Sequence, residues 1–564
     1  MSKEKLIIIG GVAAGASAAA KARRTNEFID ITIYEKTANV SYANCGLPFY
    51  IAGIINNRKN LLLHTPKSLG KRFNLNIFTK HEVIDIDPKS KTVLVKSGDN
   101  TFEDKFDKLI IATGAKTVIP KIKGIEQTPF FQMKTVEDVD QIKEFIEKNN
   151  PKSAIIIGGG YIGVEIAEAL YHSNIKATII EAQKHILPNY SHEIVLAIED
   201  KMKEVGVNIH TEKFVEEVSY DNKHYKVILN DGTILHSDML FVATGVAPNI
   251  ELAKKAGITL GETGAIKTNE YMQTNYDFIY AAGDAVEKFH IVSKQYVFLP
   301  LAGPANREGR VAGCNAAGGM LQNPGVLGTS VVGFLDKIVA KTGLSFDEAI
   351  AAGFDADFVY TEDPDHAEYY PGYKYIFMKT VFDKRTKKVL GVEASGSYAT
   401  VRKVDAIASA IYGDLTIYDL ENIDFCYAPP FGSARDNINK AGFVAANQDR
   451  GEGFGIKPQE FIEIYNKDCS IQIIDVRTKL EYKAYRFEKA KNIYVNDIRS
   501  HLSEIDKGRP VYIYCAVGFR GYLATRFLRN LGYEAFNIIG GIEAINRIKR
   551  FNFVGGSNGC CFKN

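Results

Sequence analysis

An α/β fold with largely parallel sheets, followed by a mixed α+β domain and a terminal α/β unit, is predicted for this 564-residue chain by three observations. A β-branched run, a glycine cluster, an alanine-rich helical stretch and a second apolar run ending in glutamate occur twice in that order. None of these apolar runs alternates with polar residues, which is the pattern of strands buried on both faces. Two further runs, Ile110-Ile111-Ala112-Thr113-Gly114 and Phe241-Val242-Ala243-Thr244-Gly245, end in the same Thr-Gly turn.

The first copy is a strand over Leu6–Ile9, a turn over Gly10–Gly15, a helix to about Arg24 and a strand over Ile31–Glu35. The second repeats this over Ala154–Ile157, Gly158–Gly163, a helix to about His172 and Ala177–Glu181. Each reads as a βαβ unit. From about Gly328 to Phe443 strands and helices mix and tyrosines are frequent, as in a separate α+β domain. The stretch Asn447–Pro458 is rich in glycine and polar residues and reads as a linker, after which a last α/β unit follows.

Composition excludes several classes of function. With 46% hydrophobic and 24% charged residues the chain builds several cores and lacks the bias of disorder. Sixty-nine basic residues offset sixty-seven acidic ones, so no global field favours nucleic acid or an anionic membrane. The apolar run Leu6–Ile9 stops at Gly10, far short of a signal core or a spanning helix. A cytoplasmic protein with small-molecule partners is expected. Seven scattered cysteines make no disulfide framework, and no metal-ligand cluster stands out.

A dinucleotide site needs a tight turn, close approach of backbone to the pyrophosphate, and a helix N-terminus that holds the negative charge. Gly158, Gly160 and Gly163 have that spacing, with Tyr161 and Ile162 at the helix start and Glu181 placed to accept ribose hydroxyls. A carboxylate at Glu181 repels a 2'-phosphate, so NADH is favoured over NADPH, with Lys184 softening the preference. In the first copy Gly10 and Gly15 take the outer positions, while Val12 stands where the second glycine belongs and Ala13-Ala14 complete the turn. Glu35, followed by Lys36, takes the ribose of the first nucleotide. The run Ile279-Tyr280-Ala281-Ala282-Gly283-Asp284-Ala285 delivers an aspartate suited to the ribityl chain of a flavin. Together with Thr113-Gly114 and Gly245, these motifs give the first 445 or so residues a resemblance to the pyridine nucleotide-disulfide oxidoreductase family. The resemblance implies FAD on the first site and NAD(P)H on the second.

Ser41-Tyr42-Ala43-Asn44-Cys45-Gly46-Leu47-Pro48 follows the first unit's second strand, a position that in this fold faces the flavin ring. No second cysteine stands within a turn, so the other sulfur comes from the substrate, or Cys45 cycles through sulfenic acid. The segment is similar to that of coenzyme A disulfide reductases, a single-cysteine branch, which implies a mixed disulfide between Cys45 and coenzyme A. On that resemblance Ser17, Lys21, Arg24, Ser41, Asn44, Lys71, Arg72, Asn306 and Arg435 are the coenzyme A contacts, Asn306 replacing a histidine of some relatives. It also implies a homodimer in which Tyr427 and either Tyr369 or Tyr370 reach the partner's site and protonate a departing thiolate.

In the last unit, Ile471–Arg477 is a strand ending in Asp-Val-Arg, and Val511–Tyr514 delivers Cys515 to the loop Ala516-Val517-Gly518-Phe519-Arg520 ahead of a helix. Loop N–H groups and a helix N-terminus would hold a thiolate or its persulfide. With Gly540-Gly541 these features resemble a single-domain rhodanese, although Tyr485-Arg486-Phe487 stands where rhodaneses carry Gly-His-Ile. Cys314, Cys426 and Cys469 are read as structural; the adjacent Cys560 and Cys561 lie in a glycine-rich tail read as passive, with relay of sulfur or resolution of a persulfide as the alternative.

The expected organisation is thus two Rossmann-like dinucleotide-binding domains, a dimerisation domain and a rhodanese domain: residues 1–120 and 246–327 for FAD, 121–245 for NAD(P)H, 328–446 for dimerisation, 447–458 as linker and 459–564 as rhodanese. The expected reaction is NAD(P)H-driven reduction of a coenzyme A persulfide, coenzyme A disulfide or polysulfide. An NADH oxidase or peroxidase using Cys45 sulfenate, and a redox-sensing binding protein, are the alternatives.

Overall fold

The computed structural model describes residues 3–468 and 470–548. Cys469, Cys560 and Cys561 lie outside them. The chain forms two compact units: the first ends at Leu187 and resumes over Met202–Gly328, and the second takes Pro188–Lys201 and the chain from Thr329 onward.

In the first unit five parallel strands lie in the order Ile279–Ala281, Lys108–Ile111, Lys5–Ile9, Asp30–Glu35, Asn76–Thr79. A second parallel sheet has the order Asn208–His210, Lys176–Ile180, Ser153–Ile157, Met239–Val242. In both repeats the run before the glycine turn is buried along its apolar length, the burial that its lack of alternation implies. The repeats agree in detail as well. The helices Ala13–Thr25 and Tyr161–His172 follow their glycine turns directly. A Cβ on Gly15 would lie 1.8 Å from the carbonyl oxygen of Gly10, and one on Gly163 would lie 2.0 Å from that of Gly158. Glycine at the third position therefore lets each helix sit directly on its turn.

The second unit is built on an antiparallel sheet in the order Ser330–Phe334, Lys337–Gly343, Val389–Gly396, Tyr375–Asp383, Ala356–Pro364. Helices Ala399–Tyr412 and Asn437–Asp449 pack on one face. Residues pointing to the other face engage the Pro188–Lys201 segment and the C-terminal domain: Lys379 bonds Glu193 at 2.9 Å, Glu393 accepts the Ser191 N–H at 2.7 Å, and Tyr360 accepts from Gln459 at 3.3 Å. The C-terminal domain has five parallel strands in the order Gly455–Ile456, Ala535–Ile538, Val511–Tyr514, Gln472–Asp475, Lys491–Asn492. Much of the stretch read as a linker is ordered secondary structure. Asn447–Asp449 close a helix and Gly455–Ile456 form the edge strand of the C-terminal sheet. Polarity marked this stretch as surface, but Ile456 pairs through its backbone and also joins the buried core of the C-terminal domain.

Candidate active site

The carboxylates that end the two repeats are held alike. Glu35 accepts the N–H of Gly11 and the N–H of Thr37, each at 2.8 Å. Glu181 accepts the N–H of Gly159 at 2.7 Å and that of Gln183 at 2.8 Å. Each glutamate thus ties the end of its strand to the glycine turn, beside the helix N-terminus where a pyrophosphate binds. No atom lies within 4 Å of a Cβ built on Gly160, which leaves open space for a ligand against the backbone. Val12 is the residue before the first helix and leaves its turn with φ −99° and ψ −130°. Ala13, Ala14, Tyr161 and Ile162 open the two helices, and Lys36 is exposed just past its strand.

The flavin-type residues collect at the strand ends of the first sheet. Gly283 donates its N–H to the buried Glu308 at 2.9 Å, and Lys288 closes this cluster with a bond to the Gly283 carbonyl at 2.9 Å. Asp284 follows directly, with a buried Oδ1 that has no hydrogen-bond partner. Desolvation raises its pKa, against the pull of Lys288 and Lys134. A buried carboxylate oxygen left open fits a polyol chain, whose hydroxyls donate to such an acceptor. Thr113 donates to the Asn249 carbonyl at 2.9 Å, and Gly114 and Gly245 have φ of +68° and +101° with open space where a Cβ would stand. Lys134 is a residue that motif reading missed. Burial depresses its pKa, and Asp284 and Lys36 act on it electrostatically.

Cys45 lies in a short 3-10 turn, Asn44–Gly46, immediately ahead of the helix Leu47–Ile51. The residue is exposed and its thiol is free. Surrounding protein raises the thiol pKa, first by desolvation, then through the carboxylates of Glu165 and Asp284, against a hydrogen bond from its own N–H. Glu165, on the second nucleotide helix, is itself pushed up to about 7 by burial and by Glu168. Ser41 holds a left-handed φ of 47°, fixed by its N–H on the Gly11 carbonyl at 2.9 Å and by the Leu63 N–H on its own carbonyl at 3.0 Å. Such a conformation in a non-glycine residue persists only where the surroundings over-determine it, and functional loops are where this occurs.

The cationic and polar residues assigned to coenzyme A lie mainly on two helices of the first unit, Ala13–Thr25 and Pro66–Phe73. Ser17 donates to Asn306 at 2.6 Å, so these two form one contact. Arg24, Lys71 and Arg72 are exposed, and Lys21 lies on the same helix as Arg24. The buried Arg23 donates to the carbonyls of Phe73 and Asn74 at 2.9 and 2.8 Å, locking the Pro66–Phe73 helix, which carries Lys71 and Arg72, to the Ala13–Thr25 helix. His64, not singled out in the sequence, stands 3.5 Å from Arg72. Cys314 is buried and contacts the Thr25 hydroxyl at 3.6 Å, in keeping with a packing role.

The second unit separates the two tyrosine candidates. Tyr369 and Tyr427 place their hydroxyls 2.7 Å apart and are both exposed. Tyr370 instead packs edge-on against His366 at 5.8 Å. Arg435 is exposed in this unit, next to the buried Asp436 that caps the Asn437–Asp449 helix. Cys426 is exposed, so core packing does not account for it.

Cys515 is buried at the end of its strand, and Gly518, with φ +99°, turns its N–H onto the sulfur at 3.1 Å. Ala516 and Val517 complete the loop, and Phe519, 59% exposed, opens the helix Phe519–Asn530. Arg520 makes a two-pronged ion pair with Glu481 at 2.9 and 2.6 Å, which holds the Glu481 carboxyl at about 2. The Arg520 guanidinium is held more firmly protonated by Glu481 and also by Cys515. Among these residues sequence reading missed Glu481, whose signal is its place as the third residue of a helix capped by Thr478. Tyr485, at the departure from Gly-His-Ile, lies under the Arg477 guanidinium at 4.8 Å and bonds Glu543. Arg477 in turn pairs with Asp475 at 2.8 Å in full burial, which explains the Asp-Val-Arg ending.

The model of the pyridine nucleotide-disulphide oxidoreductases matches residues 4–308, more than half of the chain. The chain belongs to this family. The family's dimerisation domain matches 329–438 and a rhodanese-like domain matches 457–547. Among curated relatives, the CoA-dependent NAD(P)H sulfur oxidoreductase of Pyrococcus abyssi is 38% identical over 77% of this chain and 97% of its own length. Among solved structures, reduced Bacillus anthracis CoADR-RHD superposes with a TM-score of 0.95 at 36% identity, covering 98% of this chain and 100% of that one. An NAD-dependent persulfide reductase from A. fulgidus follows at a TM-score of 0.90 and 34% identity, over 96% and 99% of the two chains. Members of the family bind FAD and NAD(P)H. Among the described residues no helix is long and apolar enough to cross a membrane.

Proposed function

We propose that the protein is a cytoplasmic, homodimeric reductase that uses NADH to reduce a coenzyme A persulfide, coenzyme A disulfide or polysulfide at Cys45, with Cys515 handling sulfane sulfur. The observation that carries this is the lone thiol. Cys45 is exposed on a strained segment, and Cys314, the first unit's other cysteine, is buried on a helix of its own. Within the first unit Cys45 thus has no second thiol at hand, which supports the substrate as the source of the second sulfur.

The Cys45 thiolate attacks the coenzyme A sulfur of the persulfide; the S–S bond breaks, hydrosulfide leaves, and a Cys45–coenzyme A disulfide remains. FAD, when bound, would supply the electron pair, drawn from the nicotinamide, for cleavage of this disulfide. Cys45 returns to the thiolate, and coenzyme A departs as a thiol once protonated. Asp284, with its open carboxylate oxygen, holds the flavin side chain, and Glu35 and Glu181 receive the two riboses. Lys71, Arg72 and Arg24 offer charge to the phosphates of coenzyme A. The hydrogen-bonded pair Tyr369–Tyr427, delivered by the partner subunit, protonates the leaving thiolate; its hydroxyl contact supports Tyr369 rather than Tyr370 in this role.

The test is NADH oxidation with coenzyme A persulfide and with coenzyme A disulfide in native, Cys45→Ser and Cys515→Ser proteins. Cys45→Ser is expected to lose turnover with both acceptors, and Cys515→Ser to keep it with the disulfide. Undiminished turnover in Cys45→Ser removes the proposal. Oxygen consumption stoichiometric with NADH in the absence of any sulfur acceptor assigns the oxidase alternative instead.

A further inference from the structure

The helix Gly541–Ile548 in the C-terminal domain runs from the Cys515 loop to the face of the dimerisation sheet. Its first amides hold the loop: Ile542 donates to the Cys515 carbonyl at 2.9 Å and Glu543 to that of Ala516 at 3.1 Å. Tyr485 braces the same end through its bond to Glu543. At the other end Arg547 donates to Glu362 at 2.8 Å and stacks over Phe377 at 4.4 Å. Both are residues of the dimerisation sheet. Arg547 and Glu362 retain only 23% and 10% of their side-chain exposure, so this pair is shielded from the screening that weakens surface ion pairs.

The sheet also supports the start of the helix. A Cβ on Gly540 would lie 3.1 Å from the Cβ of Tyr360, and one on Gly518 would lie 3.0 Å from the Gly540 nitrogen. Gly518 is the residue whose N–H faces the Cys515 sulfur. From the Tyr360 side chain to the loop there is thus a single layer of backbone, and nothing compressible lies between them.

We infer that the dimerisation sheet is part of the sulfur-transfer site, and that the Glu362–Arg547 pair is a positioning pair which fixes the helix 541–548 and through it the loop around Cys515. This rests on the reading of Cys515 as the sulfur-handling thiol. A loop that presents N–H groups to a sulfur works only at hydrogen-bond distances, and displacement of about 1 Å costs up to roughly a hundredfold in rate. A partial release of one end of its supporting helix should cost about tenfold.

The experiment uses the full-length holoenzyme and the variants Glu362→Gln, Arg547→Met and the conservative Arg547→Lys. Three quantities are read: sulfur transfer from thiosulfate to cyanide, the rate and pH profile of Cys515 alkylation in a Cys45→Ser background, and NADH oxidation with coenzyme A disulfide. We expect Glu362→Gln and Arg547→Met to lower sulfur transfer about tenfold and to shift the Cys515 alkylation profile. NADH oxidation should stay within about twofold of native, and Arg547→Lys should recover most of the loss. Unchanged sulfur transfer and an unchanged alkylation profile in either variant, with native NADH oxidation showing that it is folded, would overturn the inference. Failure of the underlying reading looks different: the native protein and Cys515→Ser would then transfer sulfur equally. The alkylation profile still decides the positioning claim in that case, because it reports on the loop without requiring turnover.

Discussion

At the scale of single residues, the environment of Cys45 sets its chemistry. Its thiol is raised by burial and by two carboxylates, so removing one of those charges should favour the thiolate. Above about pH 7 Glu165 is ionised, and Glu165→Gln should therefore shift the pH profile of Cys45 alkylation downward; an unchanged or upward-shifted profile contradicts this. The tyrosines make a sharper pair of predictions. Loss of the Tyr369 hydroxyl in Tyr369→Phe should lower kcat for coenzyme A disulfide about ten- to a hundredfold, while Tyr370→Phe should change it less than about twofold. Equal effects of the two substitutions would return the choice to where spacing alone leaves it.

At the scale of elements, the two strand-turn-helix repeats carry the nucleotide sites by the same packing. Gly15→Ala forces a methyl group against the Gly10 carbonyl and should destabilise the first site by about 3 kcal/mol, seen as loss of bound flavin absorbance. Retention of flavin at native occupancy would contradict this packing. Replacing Glu181 with alanine removes the charge proposed to face the second ribose and should lower the NADH-to-NADPH ratio of kcat/KM about tenfold; an unaltered ratio would show that specificity is set elsewhere. These elements were legible because glycine spacing and uninterrupted apolar runs are local signals. The pairing of Glu481 with Arg520, the environment of Lys134 and the Tyr369–Tyr427 pairing were not, because each depends on residues distant in sequence meeting in space. The stretch read as a linker also holds an element of this kind. Gly455–Ile456 pairs through its backbone, which composition does not reveal.

At the scale of the whole molecule, one chain combines a family reductase, its dimerisation domain and a rhodanese-like domain. The Tyr485-Arg486-Phe487 departure, unexplained from sequence, places a tyrosine where it braces both the buried Arg477 and the helix behind the Cys515 loop. Cys45 and Cys515 belong to different compact units, which suits the proposed division of labour between reduction and sulfur handling. The reduction half is tested most directly by peptide mass spectrometry of the oxidised holoenzyme after stoichiometric coenzyme A disulfide without NADH. One coenzyme A should be found on the peptide carrying Cys45 and should be released when NADH is added. A Cys45 peptide that carries no coenzyme A, or one oxidised at sulfur instead, would contradict the assignment of the substrate as the second sulfur.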